Sequence, residues 1–187
     1  MTPQHPFVWL SPAAQKRAFL VLLLLALAVM AWMNVFDAHL KTAADPAGIV
    51  SFELAGSSAL AWDIIESWGE EGQVYAGLSL GLDYLFIVAY SGGIALGCVM
   101  GSRSLAQRVK GLAPVGLFLA WAQFAAAALD AVENYALIQV LLGSQRELWP
   151  VVARWCAVPK FLLVALGLLY LLAAGSVALG RTLKRQK

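Results

Sequence analysis

The chain has 187 residues, 61% of them hydrophobic and only 13% charged. Soluble domains carry about a quarter charged residues, so this composition excludes an ordinary soluble fold and points to an all-α, polytopic membrane protein. The formal net charge of +2 says little as a total; the placement of the charges says more, and no nucleic-acid partner is expected.

The first apolar segment covers about residues 18–36, enough to cross ~30 Å of hydrocarbon. Lys16 and Arg17 before it also fit a signal peptide, but the apolar run is long for such a core and no convincing A-x-A site follows. Residues 37–73 then form the one sizeable connecting loop. Asp45, Pro46 and Gly48 carry turn chemistry at its start. Ser57 or Ser58 can cap a short helix that ends near Gly69. Ala61, Ile64, Ile65 and Trp68 share one side of it and Asp63, Glu66 and Glu70 the other, so it is amphipathic. A surface helix in the outer loop is the simple expectation, and a lid over the bundle the sharper one.

Three further spans follow, at about residues 74–100, 112–142 and 150–179, which makes a single four-span domain, a four-helix bundle with the short amphipathic helix outside it. Pro114 and Pro150 stand near the starts of the last two, where a missing N–H costs nothing. Trp149 and Trp155 suit the headgroup level. Lys16 and Arg17 precede the first span, Arg103, Arg108 and Lys110 separate the second from the third, and Arg181, Lys184, Arg185 and Lys187 follow the fourth, with no acid among them. The acids, Asp37, Asp45, Glu53, Asp63, Glu66, Glu70, Glu71 and Glu147, fall on the other side. The positive-inside rule then places both termini in the cytoplasm of a multi-pass protein of the cell (inner) membrane.

Charges also occur inside the spans. Asp83 in the second, Glu133 in the third and Lys160 in the fourth all come out ~13–15 Å from the outer ends of their helices at 1.5 Å per residue. A lone charge facing lipid at such depth costs ~2.5–3.5 kcal/mol, and pairing is the usual relief. Gln123, Asp130, Glu133 and Asn134 fall within about a third of the circumference of the third span. On the second, Ser79, Asp83, Tyr90 and Gly97 share a face, and on the fourth Ala153, Cys156, Lys160 and Gly167 do. Small residues beside polar ones mark faces on which helices approach closely in lipid. Asp83, Glu133 and Lys160 are therefore expected in one network, completed by Asp130 or Asn134. Arg154 falls away from that face, where it can reach headgroups or an outer acid, and Pro159 is expected to kink the helix or free a carbonyl beside Lys160.

Three carboxylates around one lysine would carry −2 when ionised, which a low dielectric disfavours, so a proton or a compensating cation is expected there. Intramembrane ionisable groups are by default candidate functional sites. The arrangement suits binding or transport of a proton or of a small cationic or amphiphilic solute, with Asp83, Asp130, Glu133, Asn134, Lys160, Tyr90 and Gln123 as candidates. Tyr84, Tyr90, Tyr135 and Trp121 could supply aromatic walls for a cation. Four spans are few for a transporter protomer, so a homo-oligomer or a larger membrane complex would accompany this reading. Three alternatives stay open. One is a polar packing knot with an Asp83–Lys160 ion pair. Another is a membrane enzyme on a lipid-like substrate with Asp130 or Glu133 as acid or base. The third is an accessory subunit. Cys98, Cys156, His5 and His39 stand in no metal, haem or redox spacing, and Lys160 competes for the carboxylates; no cofactor and no metal are expected.

G-L-D-Y-L-F in the second span, L-D-A-V-E-N in the third and W-P…A-R-W-C-A…P-K-F in the fourth together resemble small uncharacterised four-span proteins of bacterial inner membranes. The resemblance covers most of the chain and implies no activity and no catalytic residue.

Overall fold

The computed structural model describes residues 4–106 and 111–185, with side chains as far as residue 177. Among these the chain is all helical, with five helices, four of them long and apolar enough to cross a membrane. They are α1 (Pro12–Asp37), α2 (Ile49–Glu53), α3 (Ser58–Leu105), α4 (Leu112–Leu141) and α5 (Leu148–Arg185). Of the basic residues behind the expected orientation, Arg108, Lys110 and Lys187 lie outside the described residues, as do the side chains of Arg181, Lys184 and Arg185.

The helix ends follow local chemistry. α1 starts six residues before the apolar run because Ser11 caps it, accepting the Ala14 N–H at 3.2 Å, and Pro12 takes the first helical position. α3 joins the expected amphipathic helix to the second span. The two are continuous except at Gly69, whose φ of 63° is left-handed and breaks the helical run. The first turn of α3 is capped twice: Ser57 Oγ faces the Leu60 N–H at 3.4 Å, and Glu147, next to the start of α5, accepts the Ser58 N–H at 3.0 Å.

Two compact units divide the chain, and each of the four long helices contributes to both. One comprises residues 1–24, 89–126 and 161–187. Its helices meet at small residues. A Cβ on Gly116 would strike the Tyr170 ring, and Tyr170 donates its hydroxyl to the Leu112 carbonyl at 2.9 Å. Buried Gln15 holds the N-terminal segment through the Phe7 and Leu10 carbonyls, and Arg103 bonds both Gln15 and His5.

The other unit comprises residues 25–88 and 127–160. Its core joins Leu40, Phe52, Ile65 and Trp68 of the α1–α3 segment to Leu80, Leu137 and Val140 of the long helices. The apolar face Ala61, Ile64, Ile65 and Trp68 is buried in this core while Asp63, Glu66 and Glu70 stay exposed, so this stretch is the expected amphipathic helix, packed by one face on the bundle. Trp68 pins the segment down, donating its indole N–H to the Leu40 carbonyl at 2.8 Å and to Asp45 Oδ2 at 2.7 Å. Burial holds the Asp45 carboxyl above its usual range. α2 is docked by Asp37, the last residue of α1, whose Oδ1 accepts the Ile49 N–H at 2.8 Å. Gly48 precedes it at φ 62°, and a Cβ there would overlap the Asp37 carboxylate.

Candidate functional site

The motif L-D-A-V-E-N places Asp130 and Glu133 one helical turn apart on α4, so both can face one group on a neighbouring helix. That group is Lys160 of α5. Its Nζ donates to Asp130 Oδ1 at 3.0 Å and to Glu133 Oε1 at 2.8 Å, and Glu133 Oε2 also lies 2.8 Å away as a charge contact. Glu133 is 0% exposed and Lys160 5%. Pro159 stands directly before Lys160, and α5 remains helical on both sides of it.

A third carboxylate approaches the ammonium from outside the four long helices. Glu53 ends α2, and its Oε2 lies 3.8 Å from Lys160 Nζ. The Glu53 carboxyl also faces that of Glu133, a contact that becomes a hydrogen bond when one of the two carries a proton. Burial pushes the Glu53 carboxyl up from 4.5 to about 7, against the pull of Lys160 and with Asp83 and Asp130 adding to the rise. Glu53 Oε2 is buried and accepts no hydrogen bond, whereas Glu133 Oε2 is met by the ammonium.

Asp83 of α3 completes the group at one remove. It accepts the Asn134 side-chain amide and lies beside the Asp130 carboxyl. The expected Asp83–Lys160 ion pair is absent among the described residues. The ammonium is already surrounded by Asp130, Glu133 and Glu53, and Asn134 offers Asp83 a neutral donor instead. Four carboxyls thus share one lysine. Fully ionised, four negative charges against one positive would leave −3 in a buried site.

Tyr90 and Gln123 fall in the other compact unit. Gln123 donates to the Leu163 carbonyl at 3.0 Å, and Gly167 leaves room for it, since a Cβ there would collide with the amide. Tyr84, Tyr135 and Trp121 are exposed, and Tyr135 meets Trp149 edge-on at 5.7 Å. The expected aromatic walls are therefore not assembled from these residues. Cys98 and Cys156 are free thiols.

Glu53 is the site residue that sequence reasoning misses, because it counts as one of many acids in a polar loop. A signal is present: I-V-S-F-E-L sets the acid inside an apolar run, unlike Glu66, Glu70 or Glu71. No family model matches the chain, and no curated protein and no solved structure is similar enough to count as a relative.

Proposed function

We propose that the chain is a multi-pass protein of the cell (inner) membrane whose buried carboxylate–lysine cluster takes up and releases protons. The observation that carries this reading is Glu53 Oε2, buried without a hydrogen bond inside a group of four acids and one lysine. A buried carboxylate oxygen with no donor is costly. One proton between Glu53 and Glu133 lowers the net charge and turns the contact between them into a hydrogen bond. The lysine holds the remaining negative charge in place. Glu53 reaches the cluster from α2, a five-residue helix in a connecting segment, so proton occupancy and the seating of α2 are linked. Protons suit the site better than an organic cation, since Tyr84, Tyr135 and Trp121 are exposed and do not enclose it.

The basic segments place both termini in the cytoplasm in this reading, with the cluster in the outer half of the bilayer. Four spans per chain favour a homo-oligomer or a larger membrane complex around it.

Infrared difference spectroscopy on the full-length protein in lipid vesicles, titrated through neutral pH, tests the reading. A protonated-carboxyl band should persist near pH 7, titrate away above it, and shrink in both Glu133→Gln and Glu53→Gln. The absence of any such band near pH 7 in the unaltered protein would overturn the proposal.

A further inference from the structure

A second polar feature lies on the opposite side of α2 from the charge cluster. Phe52 packs in the core and Glu53 turns to Lys160, whereas Ser51 and Leu54 line a pocket of about 440 Å³. Its wall continues through Leu60, Ile64, Asp63 and Arg154. That volume is in the range of small-molecule sites.

Two charged groups of opposite sign share this pocket without pairing. Arg154 and Asp63 are both exposed, and neither forms a hydrogen bond or ion pair within reach among the described residues. The guanidinium is nevertheless positioned. Its aliphatic stem crosses the backbone at Gly56, where φ is 71° and a Cβ would collide with Arg154 Cδ. Leu54 and Leu60 add an apolar wall that is itself 38% and 54% exposed. Trp155, next in sequence to Arg154, is 76% exposed, as suits a ring at the boundary between hydrocarbon and headgroups.

We infer that this pocket binds a zwitterionic amphiphile, a molecule with an apolar tail and a head carrying both a phosphate and a primary ammonium. Arg154 offers a planar fork that matches phosphate oxygens. Asp63 accepts the ammonium, and Leu54 and Leu60 receive the tail. The lining disfavours the two nearest rivals. A purely anionic head meets the Asp63 carboxylate. A quaternary ammonium cannot donate to Asp63, and no aromatic ring lines the pocket to hold it by cation–π contact. Such a head occurs on a membrane lipid or on a soluble molecule, and the tail separates the two. The inference does not rest on the proton reading, because its charged groups, Arg154 and Asp63, form no ion pair with Lys160.

The test is equilibrium binding to the full-length protein in detergent, read by native mass spectrometry. The probes are dihexanoyl phosphatidylethanolamine, the phosphatidylglycerol and phosphatidylcholine with the same tails, and glycerophosphoethanolamine. Dihexanoyl phosphatidylethanolamine should bind best. Arg154→Gln should weaken it by about tenfold or more, the loss expected for one charge-assisted contact. Asp63→Asn should remove the preference over phosphatidylglycerol, and Leu60→Asp should weaken every lipid probe. Circular dichroism and thermal melting of each variant verify folding, and Arg154→Lys should retain part of the affinity. Equal binding of all three lipids, or binding unchanged in Arg154→Gln, overturns the inference. So does glycerophosphoethanolamine binding as tightly as the lipid, since the tail would then contribute nothing.

Discussion

Lys160 is the one positive charge among Asp130, Glu133 and Glu53, so its loss and theirs are not equivalent. Lys160→Met strands buried carboxylates and should cost about 3–5 kcal/mol. Adding Asp130→Asn and Glu133→Gln removes the stranded charge and should restore most of the stability. Thermal melting in detergent checks this; a triple variant no more stable than Lys160→Met would show that the ammonium is not what neutralises the group. Residue depth was legible here, because nearly equal depth on three helices brings Asp83, Glu133 and Lys160 to one level. The partner of each was not. Which oxygen reaches Nζ depends on helix rotation within a few tens of degrees, and the assignment of Asp83 to Asn134 depends on Glu53 already occupying a side of the ammonium.

α2 is the element that sequence periodicity cannot show. Five residues give little more than one turn, too short for an apolar repeat, and its start depends on Asp37 from a different helix. The α3 extension was legible for the opposite reason: Ala61, Ile64, Ile65 and Trp68 repeat over several turns between a serine cap and Gly69. Because α2 carries Glu53, its seating should depend on pH. A carboxyl whose pKa rises on folding stabilises the docked state fully below its ordinary value of 4.5, and that contribution is lost as pH rises through about 7. The full span amounts to up to about 3 kcal/mol. Hydrogen exchange of the α2 amides, corrected for intrinsic rate, should therefore accelerate between pH 5 and 8 (approximate limits set by the same shift). Glu53→Gln should flatten that dependence, and an equally steep profile in the variant would assign it to another group.

At the scale of the whole chain, the four long helices were legible from apolar length alone, but not all their ends: α1 starts six residues early at its cap, and α3 starts at Ser58 because the amphipathic helix runs on into the second span. The side of the membrane on which each end emerges rests on the basic residues. A reporter active only in the cytoplasm should work when fused after Lys187 and fail when inserted near Gly48. The reverse pattern would invert the orientation and move the cluster to the inner half of the bilayer. Much of α1 is exposed along its length, including Leu20, Val21, Leu24, Leu27 and Trp32. That surface is where lipid, or a second copy, would meet the chain.

The spacing of the charges along the chain also bears on how the protein is made. Asp130 and Glu133 are synthesised 30 and 27 residues before the lysine that neutralises them. A nascent chain that released α4 into lipid alone would commit two uncompensated acids to hydrocarbon. The short link between Leu141 and Leu148 offers a way out: α4 and α5 can leave the insertion machinery as one hairpin, with the lysine already facing its acids. Glu53 is made earlier still, yet α2 can seat only once that hairpin exists. The order of birth along the ribosome is thus not the order of assembly, and the last step of maturation is the closing of a segment made near the beginning.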